Sequence, residues 1–174
     1  MAPRDEPRWL DDTEQQAWLT FANVVMRLPS VLDGQLQRDA GISHFEFVIM
    51  ARLSETPGRQ LRMSAIALSV KASLSRLSQA VARLEKRGWV RRGPDPEDGR
   101  YTIATLTDEG MAKVVDTAPG HVAAVREYVI DQLTASQVGQ LAAISQRIID
   151  TLPPDATWPS QECGTRRQHG DSAH

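Results

Sequence analysis

The fold is decided by residues 73–106, which read SLSRLSQAVARLEKRGWVRRGPDPEDGRYTIATL. Ser73 is a favourable N-cap for a helix, and Gly88 is the residue type preferred just after a helix ends. Two short runs, 89–92 and 101–106, flank a tip that contains two Pro and two Gly, which predicts a hairpin. The stretch therefore predicts a helix followed by a two-stranded ribbon. The apolar stripe of the helix consists of Leu74, Leu77, Val81 and Leu84.

A second short helix, at about 64–69, is predicted just before this one, and two helices with so short a connection are typical of a helix-turn-helix. Upstream, Ser43 and Glu46 form a capping box that predicts another helix start, and residues 56–58 (Thr-Pro-Gly) end that helix. Because a two-stranded ribbon is not stable alone, we expect it to pack on the helix-turn-helix. Residues 43–106 are thus predicted to form a winged helix.

Long helices are predicted on both sides of this unit. Pro29 is expected to bend the first, and Pro119-Gly120 to break or kink the helix that Thr107 caps. Thr134 and Gln137 form a capping box for the last helix. The apolar positions are Trp18, Phe21, Val25, Leu28, Leu32 and Leu36 in the first helix and Val125, Val129, Leu133, Val138, Leu141, Ile144 and Ile148 near the end.

The predicted order of elements is α, α, α, α, β, β, α, α, a mainly α architecture with a two-stranded wing. The apolar positions of the outer helices exceed what one small core needs, so we expect them to bury against a second copy. The predicted segments are a flexible N-terminus at 1–12, dimerisation helices at 13–42 and 107–150, a winged-helix DNA-binding domain at 43–106, and a mobile tail at 151–174.

The charge of the chain is distributed unevenly. The 174 residues contain 20 Lys and Arg against 22 Asp and Glu, a net charge of −2. Residues 59–100 contain ten basic and four acidic residues, so this segment carries +6 and the rest of the chain carries −8. A basic module in an acidic frame is typical of a duplex-binding element whose frame serves another task, such as dimerisation.

The side of the 73–88 helix that faces away from its apolar stripe has no acidic and no bulky apolar residue. Arg pairs with guanine and Gln with adenine in a major groove, so this face predicts a recognition helix; the alternative is an ordinary solvated face. Its members are Ala72, Ser75, Arg76, Gln79, Arg83 and Lys86.

Several classes of protein are excluded by composition. No apolar run is long enough for a membrane span or a secretory signal, so we expect a cytoplasmic protein. The single cysteine, Cys163, can form neither an intramolecular disulfide nor a thiolate metal cage. The four histidines (His44, His121, His169 and His174) lack ligand spacing, so no metal site or cofactor is expected. No phosphate loop or nucleophile motif is present either, which argues against an enzyme.

These residues resemble the MarR family of winged-helix transcription regulators over about residues 13–150. The resemblance is carried by RLEKRGWVRR at 83–92, by PDPEDGR at 94–100 and by LTDEG at 106–110. It implies a homodimer whose first and last two helices interlock, with one recognition helix per subunit in the major groove of a pseudo-palindromic operator. The tips of the wings would then lie in the minor groove.

The family's Asp-x-Arg wing motif is matched by Asp98-Gly99-Arg100. The resemblance implies that Arg100 enters the minor groove while Asp98 orients it, which suits the attraction of a narrow minor groove for guanidinium. The acidic residues Asp95, Glu97 and Asp98 are expected to pair with neighbouring arginines or to face solvent. The predicted DNA-binding residues are Lys71, Ser73, Ser75, Arg76, Gln79, Arg83, Asp98 and Arg100.

Many members of the family bind a small aromatic or anionic effector between the dimer helices and the DNA-binding lobe. On this chain the crevice would be formed by Trp18, Phe21, His44, Phe45, Met50 and Arg52. The alternative is that Trp18 and Phe21 belong to the core or the dimer interface. Residues 43–55 offer only Glu46 and Glu55 as acids, so the aspartate of urate-binding members has no match. Cys163 is expected to have no redox-sensing role.

The sequence therefore predicts a ligand-responsive homodimeric repressor that binds double-stranded DNA and acts by occluding the operator. The alternative is a winged helix used as a protein-interaction module, whose basic surface binds an acidic protein partner.

Overall fold

A computed structural model describes residues 7–153 of the chain. Within them the fold is mainly helical, with a small antiparallel sheet formed by one strand between the second and third α-helices and two strands between the fourth and fifth. The helices are α1 (Asp12–Ala40), α2 (His44–Ser54), α3 (Met63–Ser69), α4 (Leu74–Lys86), α5 (Asp108–Tyr128) and α6 (Ala135–Thr151). The strands are β1 (Gln60–Arg62), β2 (Val90–Pro94) and β3 (Thr102–Leu106), and 3₁₀ turns occupy Pro57–Arg59 and Ile130–Gln132. The predicted tail lies almost entirely outside the described residues, as does Cys163.

The predicted helix starts are confirmed by their caps. The side chains of Ser43, Ser73, Thr107 and Thr134 each accept a hydrogen bond from a backbone N–H in the first turn of the following helix. Ser43 and Thr134 take part in complete capping boxes. These signals are local, so they are readable from the sequence.

The sheet has three strands, one more than predicted. Its order is β1-β3-β2, and β1 pairs with β3 through the register Gln60↔Thr105 to Arg62↔Ile103. Strand β1 is only three residues long, too short for an alternating pattern, and it forms only because β3 supplies a partner from far along the chain. The hairpin of β2 and β3 is as predicted.

The winged helix has a continuous apolar core between α2, α3, α4 and the sheet. Leu77, Val81 and Leu84 of α4 are fully buried in it, as predicted. Leu74 is not: its side chain is 55% exposed, and Ala80 is buried instead. Leu74 is the first residue of α4, so it extends beyond the edge of the core that the later turns cover. The remaining fully buried members include Ile49, Met50, Leu53, Ile66 and Ala104.

Of the break or kink predicted at Pro119-Gly120, the break is wrong, because α5 runs without interruption from Asp108 to Tyr128 with Pro119 inside it. The chain turns later, at Ile130–Gln132. An internal proline removes one helical hydrogen bond, but buried residues on both sides of it, Thr117 and Ala124, hold α5 in place. Pro29 likewise lies inside α1.

The outer helices expose much apolar surface. The first twenty residues of α1 contain no buried residue, and neither does α6. The exposed apolar side chains include Trp18, Phe21, Val25, Leu141, Ile144, Ile148 and Ile149. No helix among residues 7–153 combines the length and the apolar character needed to cross a membrane.

Candidate nucleic-acid interface

The solvent side of α4 carries the predicted recognition face. Ser75, Arg76, Gln79, Arg83 and Lys86 are all exposed on it. The turn between α3 and α4 is tight, since the Ala72 N–H donates to the Ala67 carbonyl at 3.0 Å and Lys71 adopts a left-handed φ of 51°. Lys71 and Ser73 therefore lie exposed at the start of the recognition helix.

The two arginines of this face have different partners. The Arg83 Nε atom donates to Glu46 Oε1 at 2.7 Å, whereas the Arg76 guanidinium lies over the Phe45 ring, 4.3 Å from its centroid. Both partners are in the first turn of α2. Arg83, predicted as a DNA contact, thus ties α4 to α2, and neither Glu46 nor Phe45 was predicted in such a role.

Glu46 is the buried member of the pair, and two sets of hydrogen bonds keep it ionised. Burial alone would raise the pKa of the Glu46 carboxyl, but hydrogen bonds from the Ser43 backbone and from Arg83 bring the pKa below its ordinary value. One oxygen accepts from the Ser43 N–H at 3.0 Å and the other from Arg83. Glu46 therefore caps α2 and anchors the recognition helix with one carboxylate.

The tip of the wing holds the predicted Asp98 and Arg100 together. Arg100 Nη2 donates to Asp98 Oδ2 at 2.6 Å, and Arg100 Nε donates to Asp98 Oδ1 at 2.9 Å. This bond from Arg100 keeps the pKa of Asp98 below its ordinary value. The Arg100 side chain is nevertheless 84% exposed, so its orientation is set while its outer surface stays open to a ligand.

The base of the wing is held by Arg62, a residue that the sequence did not single out. Its Nε donates to Asp95 Oδ2 at 2.5 Å, its Nη2 lies 4.0 Å from Glu97 Oε2, and its guanidinium stacks 4.6 Å from the Tyr101 ring centroid. The expected pairing of the wing acids with arginines is therefore confirmed. Only the location of Arg62, on β1, could not be anticipated.

Ion pairs neutralise several arginines of segment 59–100, and the remaining unpaired basic residues lie mainly on or near the recognition face. Glu85 is engaged by Arg92 through its side chain and its backbone N–H. Within the described part of the chain, the basic residues of segment 59–100 that form no ion pair are Lys71, Arg76, Lys86, Arg87 and Arg91. The unpaired positive charge of this segment therefore lies at the start of α4, along its face, at its C-terminal end and on β2.

The six predicted effector residues are not brought together in one subunit. Trp18 and Phe21 pack on each other, with ring centroids 6.5 Å apart, on the exposed first half of α1. Met50 is fully buried in the winged-helix core, and Arg52 pairs with Glu55 at 3.5 Å on the surface. Phe45 is covered by Arg76. Successive helix residues point about 100° apart, so these positions of α2 face different neighbours.

His44 packs against a second histidine from α5. The rings of His44 and His121 have centroids 5.5 Å apart, and the His121 ring meets Phe47 edge-on at 4.9 Å. The His44 backbone N–H donates to Asp33 of α1 at 2.7 Å. Burial lowers the pKa of both imidazoles; Asp33 partly opposes this at His44, and the repulsion from His44 adds to it at His121. The junction of α1, α2 and α5 therefore favours neutral histidines.

The folded chain is expected to lose stability as the pH falls below about 6.5, the ordinary histidine pKa. With a lowered folded-state pKa, the unfolded chain binds protons that the folded chain does not, and the stabilisation present above that pH disappears. Urea unfolding across this range measures the effect. The His121→Phe variant keeps the ring contact with Phe47 and should show a shallower pH dependence; an unchanged dependence would assign the effect to other groups.

No group of three or more His, Cys, Asp or Glu side chains in residues 7–153 is placed to hold a metal ion. The Asp33 carboxylate, which is close to the pair of His44 and His121, accepts a hydrogen bond from the His44 backbone N–H and not from an imidazole.

Comparisons with known proteins agree with this geometry. Residues 42–102 match the model of the MarR family. The transcriptional regulator HosA of Escherichia coli O127:H6 is 30% identical over 107 residues, which cover 61% of this chain and 76% of that protein. HosA of Escherichia coli O111:H- is 38% identical over 66 residues, and there the match covers 37% of this chain and about half, 47%, of the relative.

The fold is shared with a solved structure over nearly its whole length. Sco3205 of Streptomyces coelicolor, a MarR family transcriptional regulator crystallised in complex with DNA, superposes with a TM-score of 0.83 at 47% identity. The superposition covers 90% of this chain and 98% of that protein. Taken with the winged helix and its recognition face, these matches show that the chain belongs to the MarR family of transcriptional regulators.

Proposed function

We propose that the protein binds double-stranded DNA in a sequence-specific manner, with α4 in the major groove and Arg100 of the wing in the adjacent minor groove. The observation that carries this proposal is the exposed face of α4. It presents Ser75, Arg76, Gln79 and Lys86 without an acidic residue, beside a wing whose arginine is held outward by Asp98. The relative Sco3205, crystallised with DNA, supports the same assignment.

The proposed binding unit is a homodimer formed by α1, α5 and α6. Each of α1 and α6 carries an exposed apolar stripe, and α6 buries no residue within its own subunit. Apolar surface of this extent on regular helices is typical of a protein interface, and a two-fold dimer would present two recognition helices to a pseudo-palindromic operator. Bound across a promoter, such a dimer would exclude polymerase, so we propose repression by occlusion.

The test is selection of duplexes from a randomised DNA pool by the purified full chain, followed by sequencing. The proposal requires enrichment of a shared, pseudo-palindromic motif. Salt-sensitive retention of all duplexes with no shared motif would contradict it and favour a basic surface for an acidic protein partner. Transcription in vitro from a promoter that carries the selected motif then tests repression.

Arg100→Ala is expected to weaken operator binding and to reduce the slope of log affinity against log salt by about one per engaged subunit, because one fewer cation replaces counterions on the DNA. Titrations at several salt concentrations measure the slope. Arg8→Ala, which removes a 91% exposed arginine that lies outside α4, the wing and the proposed dimer helices, is the matched control and should leave the slope unchanged. Equal slopes for the parent and Arg100→Ala would mean that the wing lies off the DNA.

A further inference from the structure

Among residues 7–153 the Arg76 side chain has no polar partner, although it lies on the face proposed to contact DNA. It forms no salt bridge and donates no hydrogen bond there, whereas the backbone N–H of Arg76 donates to the Ser73 hydroxyl at 3.2 Å. What holds the guanidinium is the ring of Phe45, 4.3 Å from it. Contact with a ring face consumes no N–H donor, so all the guanidinium donors stay available to a ligand.

Arg83, seven residues further along the same helix, provides the contrast. Its charge is balanced by Glu46 and its Nε is already used. Two adjacent residues of α2 therefore contact the two arginines in different ways. The Glu46 carboxylate pairs with Arg83 and joins the two helices. The Phe45 ring contacts Arg76 without neutralising its charge. Seven residues are about two helical turns, so both arginines project towards α2.

The position of the Phe45 ring is itself well defined. Phe45 is in the first turn of α2, whose start is fixed by the reciprocal bonds of Ser43 and Glu46. The ring is half-buried and packs against the winged-helix core. His44 and Phe47, which flank this position in the first turn of α2, contact His121 of α5. The ring that stacks on Arg76 therefore belongs to a helical turn that is fixed by its capping box, by the core and by α5.

We propose that Phe45 is a specificity-determining residue that acts through Arg76, by holding the guanidinium ordered over its ring face for a base edge in the major groove. This inference rests on the proposed DNA-binding function. A long arginine side chain loses much rotamer freedom when it reads a base, and a side chain that is already ordered loses less. Phe45 is thus a positioning residue. Arg76 would contact the base, and Phe45 would increase the selectivity of that contact by ordering the guanidinium beforehand.

The experiment uses the full chain and the duplex enriched by the parent protein. Competition binding against duplexes with single base-pair substitutions gives a preference profile for the parent, Phe45→Leu, Phe45→Tyr, Arg76→Ala and the double variant Phe45→Leu/Arg76→Ala. Leucine keeps the apolar contact but removes the ring face, whereas tyrosine keeps the face. Thermal unfolding of each variant verifies folding, and Phe45→Met replaces Phe45→Leu if the latter does not fold.

We expect Phe45→Leu to lower discrimination by about threefold, the size of an exposed cation–π contact, at the base pair where Arg76→Ala also lowers it. Phe45→Tyr, which keeps the ring face, should have the same preference profile as the parent. In the Arg76→Ala background, Phe45→Leu should cause no further change at that base pair, because the ring then has nothing to orient.

Three outcomes would overturn the proposal. In one, Phe45→Leu leaves the profile unchanged while Arg76→Ala alters it. In another, Phe45→Leu lowers affinity for every duplex by the same factor with or without Arg76, as a purely structural residue would. In the last, Arg76→Ala leaves the profile unchanged, so Arg76 reads no base. In each of these outcomes the parent protein still binds DNA selectively, so the proposed function stands; a parent protein that enriches no duplex would instead overturn the proposed function together with this inference.

Discussion

Replacing Ile144 with glutamate is expected to separate the protein into monomers and to lower operator affinity by about 100-fold or more. Ile144 is 57% exposed in the isolated subunit and lies at the centre of the α6 stripe, between Leu141 and Ile148. In the proposed dimer this position is buried, and an unpaired carboxylate there would be costly. Monomers would bind half-sites independently and lose the gain that comes from joining two recognition helices, typically 10²–10⁴-fold.

The control for this experiment is Ala143→Glu, which adds the same charge to the same helix. Successive residues of a helix are rotated by about 100°, so Ala143 points away from the stripe of Leu141, Ile144 and Ile148. Sedimentation measures the oligomeric state, and titration of the selected duplex measures affinity. A dimer that persists in Ile144→Glu would show that α6 is not the interface and would leave its apolar stripe without a proposed partner.

The features that the sequence predicted correctly depend on residues close together in the chain. Ser43 is three residues from Glu46 and Ser73 is three from Arg76, so each cap is completed within one turn of its helix. The wing acid Asp98 is two residues from the arginine that it holds. In such cases both partners lie in one short stretch of sequence, so the caps could be predicted from spacing and the wing pair from the Asp-x-Arg motif of the family that the sequence resembles.

The features that it missed join distant residues or depend on packing. The Glu46–Arg83 pair spans 37 residues and the Arg62–Asp95 pair spans 33, so neither can be inferred from a local pattern. Strand β1 exists only through its pairing with β3. At Pro119 a valid local rule was outweighed by the contacts of α5 on either side. The candidate site is affected in the same way: its exposed face was predictable, but the partners that orient Arg76 and Arg83 were not.

Replacing Gly110 with alanine is expected to destabilise the fold by about 3 kcal/mol, at the upper end for overpacking, because the first turn of α5 lies directly against the start of β2. A Cβ at this position would overlap the Trp89 carbonyl oxygen and would lie 2.8 Å from Leu106 Cδ1. The backbone cannot easily move away, since the Thr107 N–H donates to the Trp89 carbonyl at 3.0 Å and the Thr107 hydroxyl to the Gly88 carbonyl at 2.7 Å. Chemical unfolding at fixed protein concentration measures the loss.

The matched control is Gly120→Ala in the same helix. Its Cβ would meet only Gln35 Nε2, at 3.5 Å, which is an ordinary contact. The same substitution should therefore be neutral or stabilise by up to about 1 kcal/mol through the better helix propensity of alanine. The opposite signs matter more than either value, because both variants add one methyl group to α5 and differ only in what it touches. If Gly110→Ala proved as stable as Gly120→Ala, the result would contradict the close contact between Gly110 of α5 and the residues at the start of β2. That contact joins the wing to the proposed dimerisation helices.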